Sequence, residues 1–242
     1  SLPRLARGCD IQWFTGVMAP RRPVVDTAGK TLADYPRPSV AVDTALLTVP
    51  DEADALHVLL VRRSGTHHTG TWALPGTFLH EGERLAQAVL RSLRDKAGVE
   101  GAAPDQLHVF DDPTRDERGW VLSVAHLDVV AWSRIAAAVT ARDDVRTIPV
   151  GQAVGLPFDH DQIVSMAVRH VRDRYTAQPD PDRLLTNPEA FTLLQLRRLH
   201  EAVLGHPLLK DSFRRQMQAQ LRPTSEFARG EVGKPARIFR PR

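Results

Sequence analysis

The chain has 242 residues, 42% hydrophobic and 25% charged, which excludes a disordered or collagen-like polymer and allows one large or two ordinary domains. A single cysteine, Cys9, excludes an internal disulfide. No apolar run reaches the roughly 18 residues of a membrane span and the first 30 or so lack the apolar core of a signal peptide, so a cytoplasmic chain without a membrane partner is expected.

The net charge of +3 is unevenly spread. Residues 38–178 carry 14 Lys and Arg against 19 Asp and Glu, whereas residues 179–242 carry 12 against 7. A basic terminal segment beside an acidic body suits a polyanion partner, although an Arg-rich solvated surface has the same composition.

In chain order, residues 1–37 hold Pro3, Pro20, Pro23 and Pro36 without a sustained apolar period, and read as a loosely ordered N-terminal arm. Val40, Val42, Ala45, Leu46, Leu47 and Val49 predict a first strand, and Leu56 to Val61 a second, joined by the polar Pro50–Asp54 link. Arg62 and Arg63 end the second strand. His67 and His68 follow in a Gly/Thr-rich loop running to Trp72; with no third ligand at helpful spacing, no metal site is expected.

The stretch Leu74 to Glu100 organises the body. Strand-like sequence enters Pro75-Gly76, a short loop carries Glu81-Gly82-Glu83, and Leu85, Val89, Leu90, Leu93 and Ala97 recur at helical spacing. Gly98 stands where a helix takes a left-handed terminating residue. This loop–helix–loop resembles the Nudix box, with Glu83, Arg91, Leu93, Gly98 and Val99 in its frame. All but one of the departures fall on acidic positions. Thr77 replaces the first glycine, Ser92 and Lys96 replace two glutamates, and Asp95 shortens a third. The resemblance implies a reaction that relies on magnesium or manganese held by those carboxylates, and hard cations need several anionic oxygens. A hydroxyl at Ser92 is a weak ligand, and an ammonium at Lys96 repels a cation while suiting a bound diphosphate. The expectation is a domain that binds its ligand without cutting it, with no catalytic residues and no metal; a purely structural box is the alternative.

Leu107 to Phe110 and Trp120 to Val130 predict further strands, separated by the charged loop Asp111–Gly119. In that loop Arg115 and Arg118 have the fork geometry to clamp a diphosphate, or they make internal Arg–Asp pairs. Ile135 to Thr140 predicts a short helix and Val145 to Val150 a strand. Asp159 and Gln162, at capping-box spacing, open a helix with Ile163, Met166, Ala167, Val171 and Tyr175 as its stripe. This order fits an α/β sandwich with a mixed sheet.

Gln178-Pro179-Asp180-Pro181-Asp182 marks a boundary. Beyond it Thr192 and Gln195 predict a capping box, with Phe191 as a staple onto Leu196, and Gly205 with Pro207 ends that helix. A second helix is expected over Asp211 to Leu221, burying Phe213, Met217, Gln220 and Leu221 and presenting Arg214, Arg215, Gln218 and Arg222. Two helices joined by a short Gly-containing turn suit a helix-turn-helix, and Arg and Gln make two-point contacts with base edges. Pro223 to Arg240 outlines a hairpin whose Arg229, Lys234, Arg237 and Arg240 can meet phosphates as a wing. A helical dimerisation appendage with a basic rim is the alternative.

A degenerate Nudix box joined to such a segment resembles the Nudix-related transcriptional regulators of NAD metabolism. The segments LADYPRPSVAVDTALLTV, RDERGWVLSVAHL, LPFDHDQI and FTLLQLRRLHEAVLGHPLLKDSFRR are similar to that family's wording. The resemblance implies an α/β/α sandwich with a mixed sheet over residues 38–178 and a winged helix-turn-helix over residues 183–242. It further implies a homodimeric repressor of NAD synthesis or salvage genes on a double-stranded, palindromic operator, with no required cofactor. ADP-ribose or a related NAD-derived nucleotide is then the effector. The effector candidates are Arg62, Trp72, Glu83, Lys96, Arg115 and Arg118, with Trp72 stacking on a base. The DNA candidates are Arg214, Arg215, Gln218 and Arg222, with Lys234 and Arg237 on the backbone. Glu81, Glu83 and Asp95 keep open an active ADP-ribose pyrophosphatase with a helical extension, and a nucleotide-binding scaffold without a DNA role is a third reading.

Overall fold

The structure, a computed structural model, describes residues 24–228 and 235–242; Cys9, Arg229 and Lys234 lie outside the described residues. Pro38–Arg242 forms one compact unit, separate from the residues before it. Among the described residues before Pro38, Asp26 accepts hydrogen bonds from the backbone of Ala28 and Lys30 and from the Tyr35 hydroxyl, which makes a local turn.

The larger unit is built on a seven-stranded sheet. Its path runs β3 (Trp72–Ala73), β2 (His57–Arg62), β1 (Ser39–Thr48), β6 (Val121–Val129) and β5 (Asp105–Phe110), with β4 (Gly76–Phe78) paired to β1 and β7 (Val145–Pro149) to β2. The β1–β6 pair is parallel and the others are antiparallel, so the sheet is mixed. Most of β1 and β2 is buried, with apolar residues on both faces of each strand, because both faces of the sheet are covered. Val42, Leu46, Leu59 and Val61 pack with Val89, Leu93 and Ala97 of the box segment and with Ile135. The alternate residues Ala45, Leu47, Val58 and Leu60 pack with Ile163, Val164, Ala167 and Val171 of α3 (His160–Ala177). Each buried Leu, Ile or Val contributes about 1.5–3 kcal/mol of apolar transfer free energy.

The box helix is α1 (Leu85–Ser92), continued by a π-helical turn over Leu93–Ala97 that ends at Gly98 with φ 66°. The Gly98 backbone is left-handed, as the sequence requires. Leu90, expected on the apolar face, is exposed. Helix α2 (Ala136–Thr140) lies where Ile135 to Thr140 predicted it. No helix among the described residues is long and apolar enough to cross a membrane.

Beyond α3, β8 (Phe191–Thr192) leads into α4 (Leu193–Leu204), α5 (Lys210–Gln218), β9 (Leu221–Phe227) and β10 (Arg237–Pro241), a winged helix-turn-helix. Thr192 and Gln195 form the reciprocal capping box. Phe191 does more than staple: β8 pairs with β10 through Thr192–Ile238 and Phe191–Phe239, making a three-stranded sheet with β9. The link at Gln178–Asp182 is a packed joint. Asp180 accepts from the backbone of Leu184 and Leu185 and from the Tyr175 hydroxyl, and His200 Nε2 meets the Pro179 carbonyl oxygen. One continuous core runs from Ala45 to Phe239, with Tyr175 fully buried within it.

Candidate functional site

Asp43 organises a cleft at the sheet. It lies in β1 opposite Gly76 of β4, and the strands approach so closely that a Cβ on Gly76 would sit 1.9 Å from Asp43 Oδ1. Glycine is required there by contact. The Ser123 hydroxyl donates to Asp43 Oδ2 at 2.6 Å, Arg115 lies 3.5 Å from the same oxygen, and His160 Nε2 lies 3.4 Å from Oδ1. The backbone N–H of Leu74 donates to His160 Nδ1, so the ring proton sits on Nε2 and faces Asp43. Burial alone would raise the Asp43 carboxyl, but His160, Ser123 and Arg115 outweigh it and hold it at about 2.

Arg115 is nearly fully buried and makes a two-point contact with Asp159 at 2.8 and 2.5 Å. Asp159 therefore spends its carboxylate on Arg115, and the capping role expected of it does not form. The buried Asp116 accepts two bonds from the guanidinium of Arg118 and one from its backbone N–H, and that guanidinium packs over Phe78 and Phe158. Only Arg118 makes the pair within the loop that its sequence allowed, since Arg115 pairs with Asp159 and Asp43 outside it, and Arg118 stays partly exposed and faces the cleft.

The cavity, about 160 Å3, is lined by Asp43, Arg63, Lys96, Arg115, Asp116 and Arg118 among others, four cations against two carboxylates. It is smaller than the roughly 300–1,000 Å3 typical of whole-ligand pockets, and suits a phosphate-sized anion whose remainder extends outward. Lys96 donates to the Gly76 carbonyl, and its pKa lies below the ordinary lysine value because of desolvation and the neighbouring Arg63. Burial, then Arg118, similarly lowers Arg63. Arg63, Lys96 and Arg118 thus stand close enough to disfavour one another's charge.

Of the six expected effector residues, the cleft gathers Lys96, Arg115 and Arg118. Arg62 is exposed and bonds the Gly70 carbonyl, while its neighbour Arg63 lines the cleft. One face of Trp72 is covered by Arg146, 4.0 Å from the ring centroid, and Trp72 does not line the cleft. Glu83 is held by Arg91 through two bonds of 2.8 Å, which bring its carboxyl down to about 2. Ser92 is buried, and Asp95 pairs with Arg94. The residues sequence reasoning missed are Asp43, Ser123, Asp159 and His160, joined only by the fold, together with Arg63, one position from the arginine expected.

In the C-terminal domain Phe213 and Met217 are buried and Arg214, Arg215 and Gln218 are exposed on α5, with Arg214 bonded to Gln218. The helix ends at Gln218, earlier than its periodicity predicted, because the chain turns to begin β9 at the buried Leu221. Arg222 is therefore an exposed strand residue opposite Arg240, not a helix residue. Arg237 is exposed on β10 and stacks on Phe227. Lys234 lies outside the described residues.

Helix α3 joins the two regions. Asp159, at its start, holds Arg115 in the cleft; at its end the carbonyls of Thr176 and Ala177 accept from Gln216 of α5 and from Gln220 just beyond it. Its 18 residues span about 27 Å. Arg172 donates to the Val203 carbonyl of α4.

The model of the NUDIX domain matches residues 38–166, and that of the NrtR DNA-binding winged helix domain matches residues 184–240. The chain is 29% identical to the ADPR responsive transcriptional repressor NtrR of Acinetobacter baylyi, covering 86% of this chain and 84% of that protein. The crystal structure of Shewanella oneidensis NrtR complexed with a 27mer DNA is 32% identical, with a TM-score of 0.69 over 84% of this chain and 93% of that one. The NUDIX domain of the same protein complexed with ADP ribose is 31% identical, with a TM-score of 0.51 over 60% and 95%.

Proposed function

Because the chain belongs to the NrtR family of Nudix-related transcriptional regulators, we propose that it represses genes of NAD metabolism. On this reading its Nudix cleft senses ADP-ribose or a related NAD-derived nucleotide without hydrolysing it. The observation that carries this is the cleft's exchange of box carboxylates for cations. Glu83 is committed to Arg91, Ser92 is buried, Asp95 is turned to Arg94, and Lys96 sits beside Arg63 and Arg118. That donor set does not fit a magnesium or manganese ion, which needs several free oxygen ligands. It does fit a diphosphate, which desolvated cations recognise by charge-assisted hydrogen bonds.

Arg214, Arg215 and Gln218 are the base-reading residues of this proposal, with Arg222, Lys234 and Arg237 on phosphates. A homodimer places two α5 helices in successive major grooves of a palindromic site. Effector in the cleft acts on the Arg115–Asp159 pair and so on α3, whose far end bonds the α5 region. Ligand and DNA affinities are then linked to the extent that each prefers one arrangement of that joint. Incubation with ADP-ribose and magnesium tests the reading: the nucleotide is expected to remain intact, and rapid release of AMP would instead make the chain a pyrophosphatase.

A further inference from the structure

The His67-His68 pair has a partner that the sequence did not reveal. The loop after β2 folds back on itself: Arg63 donates to the His67 carbonyl, Gly70 N–H to the Arg63 carbonyl, and both the hydroxyl and the N–H of Thr71 to the His68 carbonyl. Adjacent side chains on extended backbone point to opposite sides. His68 escapes that constraint with a left-handed φ of 52°. Both imidazoles thereby approach one carboxylate, that of Glu117, in the loop between β5 and β6. His67 Nε2 lies 2.8 Å and His68 Nε2 3.6 Å from Glu117 Oε1, and the three ligand atoms all lie within 4.8 Å of one another.

We propose that His67, His68 and Glu117 bind a first-row transition-metal dication of the Zn2+ type. Metal–ligand bonds of about 2.0–2.2 Å in a tetrahedron place ligand atoms about 3.3–3.5 Å apart, so small side-chain rotations complete the set. Two imidazoles and one carboxylate select Zn2+ and its neighbours over Mg2+ or Ca2+, which prefer all-oxygen ligands. Three protein ligands leave a fourth position for water or an anion. The site is distinct from the Nudix box, all of whose acidic positions lie elsewhere, but it adjoins the cleft. Phe158, which lines the cleft and packs against Arg63 and Arg118, also touches both histidine rings. A bound ion ties the loop after β2 to the loop that carries Asp116 and Arg118.

The full chain, stripped with a chelator and dialysed, is titrated calorimetrically with Zn2+ alone. One ion per chain at micromolar affinity or tighter is expected, with His68→Ala and Glu117→Gln each weakening it at least about tenfold. Loading the unmutated chain with Co2+ gives the visible bands of a tetrahedral nitrogen and oxygen site, a readout independent of any variant's folding. Absence of stoichiometric Zn2+ binding overturns the proposal. So does equal affinity in both variants, which places the ion on other histidines, or ready displacement of Zn2+ by a modest excess of Mg2+.

Discussion

Removal of the Lys96 ammonium by Lys96→Ala tests the effector cleft where it departs most from a metal site. Nζ is tied to the Gly76 carbonyl, and its pKa is lowered first by burial and then by the neighbouring Arg63, Arg91 and Arg118. A diphosphate oxygen about 4 Å away would gain about 4 kcal/mol of Coulomb energy at an effective dielectric of about 20. Desolvation of both groups offsets part of this, and hydrogen bonds to charged groups leave a net of about 1.5–3 kcal/mol. Titration calorimetry with ADP-ribose at fixed ionic strength should therefore show Kd raised roughly 10- to 150-fold. Glu83→Gln is the control, because its carboxylate is committed to Arg91 and does not line the cleft; its Kd should stay within about twofold of the unmutated chain. The reasoning is refuted if Lys96→Ala, folded by its melting curve, binds ADP-ribose as tightly as the unmutated chain.

Three further outcomes follow from the structure. Arg215→Ala and Arg237→Ala should each weaken operator binding by about 1–3 kcal/mol while leaving ADP-ribose binding intact, and affinity should fall steeply between about 50 and 200 mM salt; gel-shift and calorimetric titrations check both. Gln216→Ala with Gln220→Ala removes two bonds to the end of α3, so each ligand should still bind alone while the change in DNA affinity caused by ADP-ribose shrinks toward none, as read by fluorescence anisotropy. Asp182, buried beside Arg174 with Asp180, Asp128 and His170 nearby, is raised from 3.8 to about 6 chiefly by burial. The folded chain thus holds that proton more tightly than the unfolded chain, so stability falls as pH rises from about 4 to 6 and stays lower above, by about 3 kcal/mol. Asp182→Asn fixes the neutral state, and its advantage in thermal melts should grow from pH 4 to pH 8; parallel curves would remove this assignment.

What the sequence disclosed was local chemistry. Thr192 with Gln195, Gly98, and the strand runs from Val40 and Leu56 each declare themselves within a few residues, and Lys96 was found because the box has fixed spacing. What stayed hidden depends on distant pairing. Asp43 meets Ser123 and His160, and Asp159 meets Arg115, across sequence separations that no local pattern spans. Arg62 and Arg63 are adjacent at a strand end, where a one-residue change of side reverses which of them faces the cleft. Trp72 seemed free because Arg146 lies on β7, four strands later in the chain and adjacent in space. The helical period placed Arg222 on the face of α5, although Pro223 after it disfavours a helical Arg222 and marks the turn into β9. Glu117 likewise reaches the histidine pair only through the packing of two loops.

The central claim is that occupancy of a cationic cleft changes DNA affinity without consuming the nucleotide. Its most direct test measures binding of the purified full chain to labelled duplex from upstream of neighbouring NAD genes, with and without ADP-ribose, and assays the nucleotide recovered from the same sample. The account predicts tight duplex binding, a clear change in affinity when ADP-ribose is added, and intact nucleotide at the end. Rapid conversion to AMP by a chain indifferent to the duplex would contradict it.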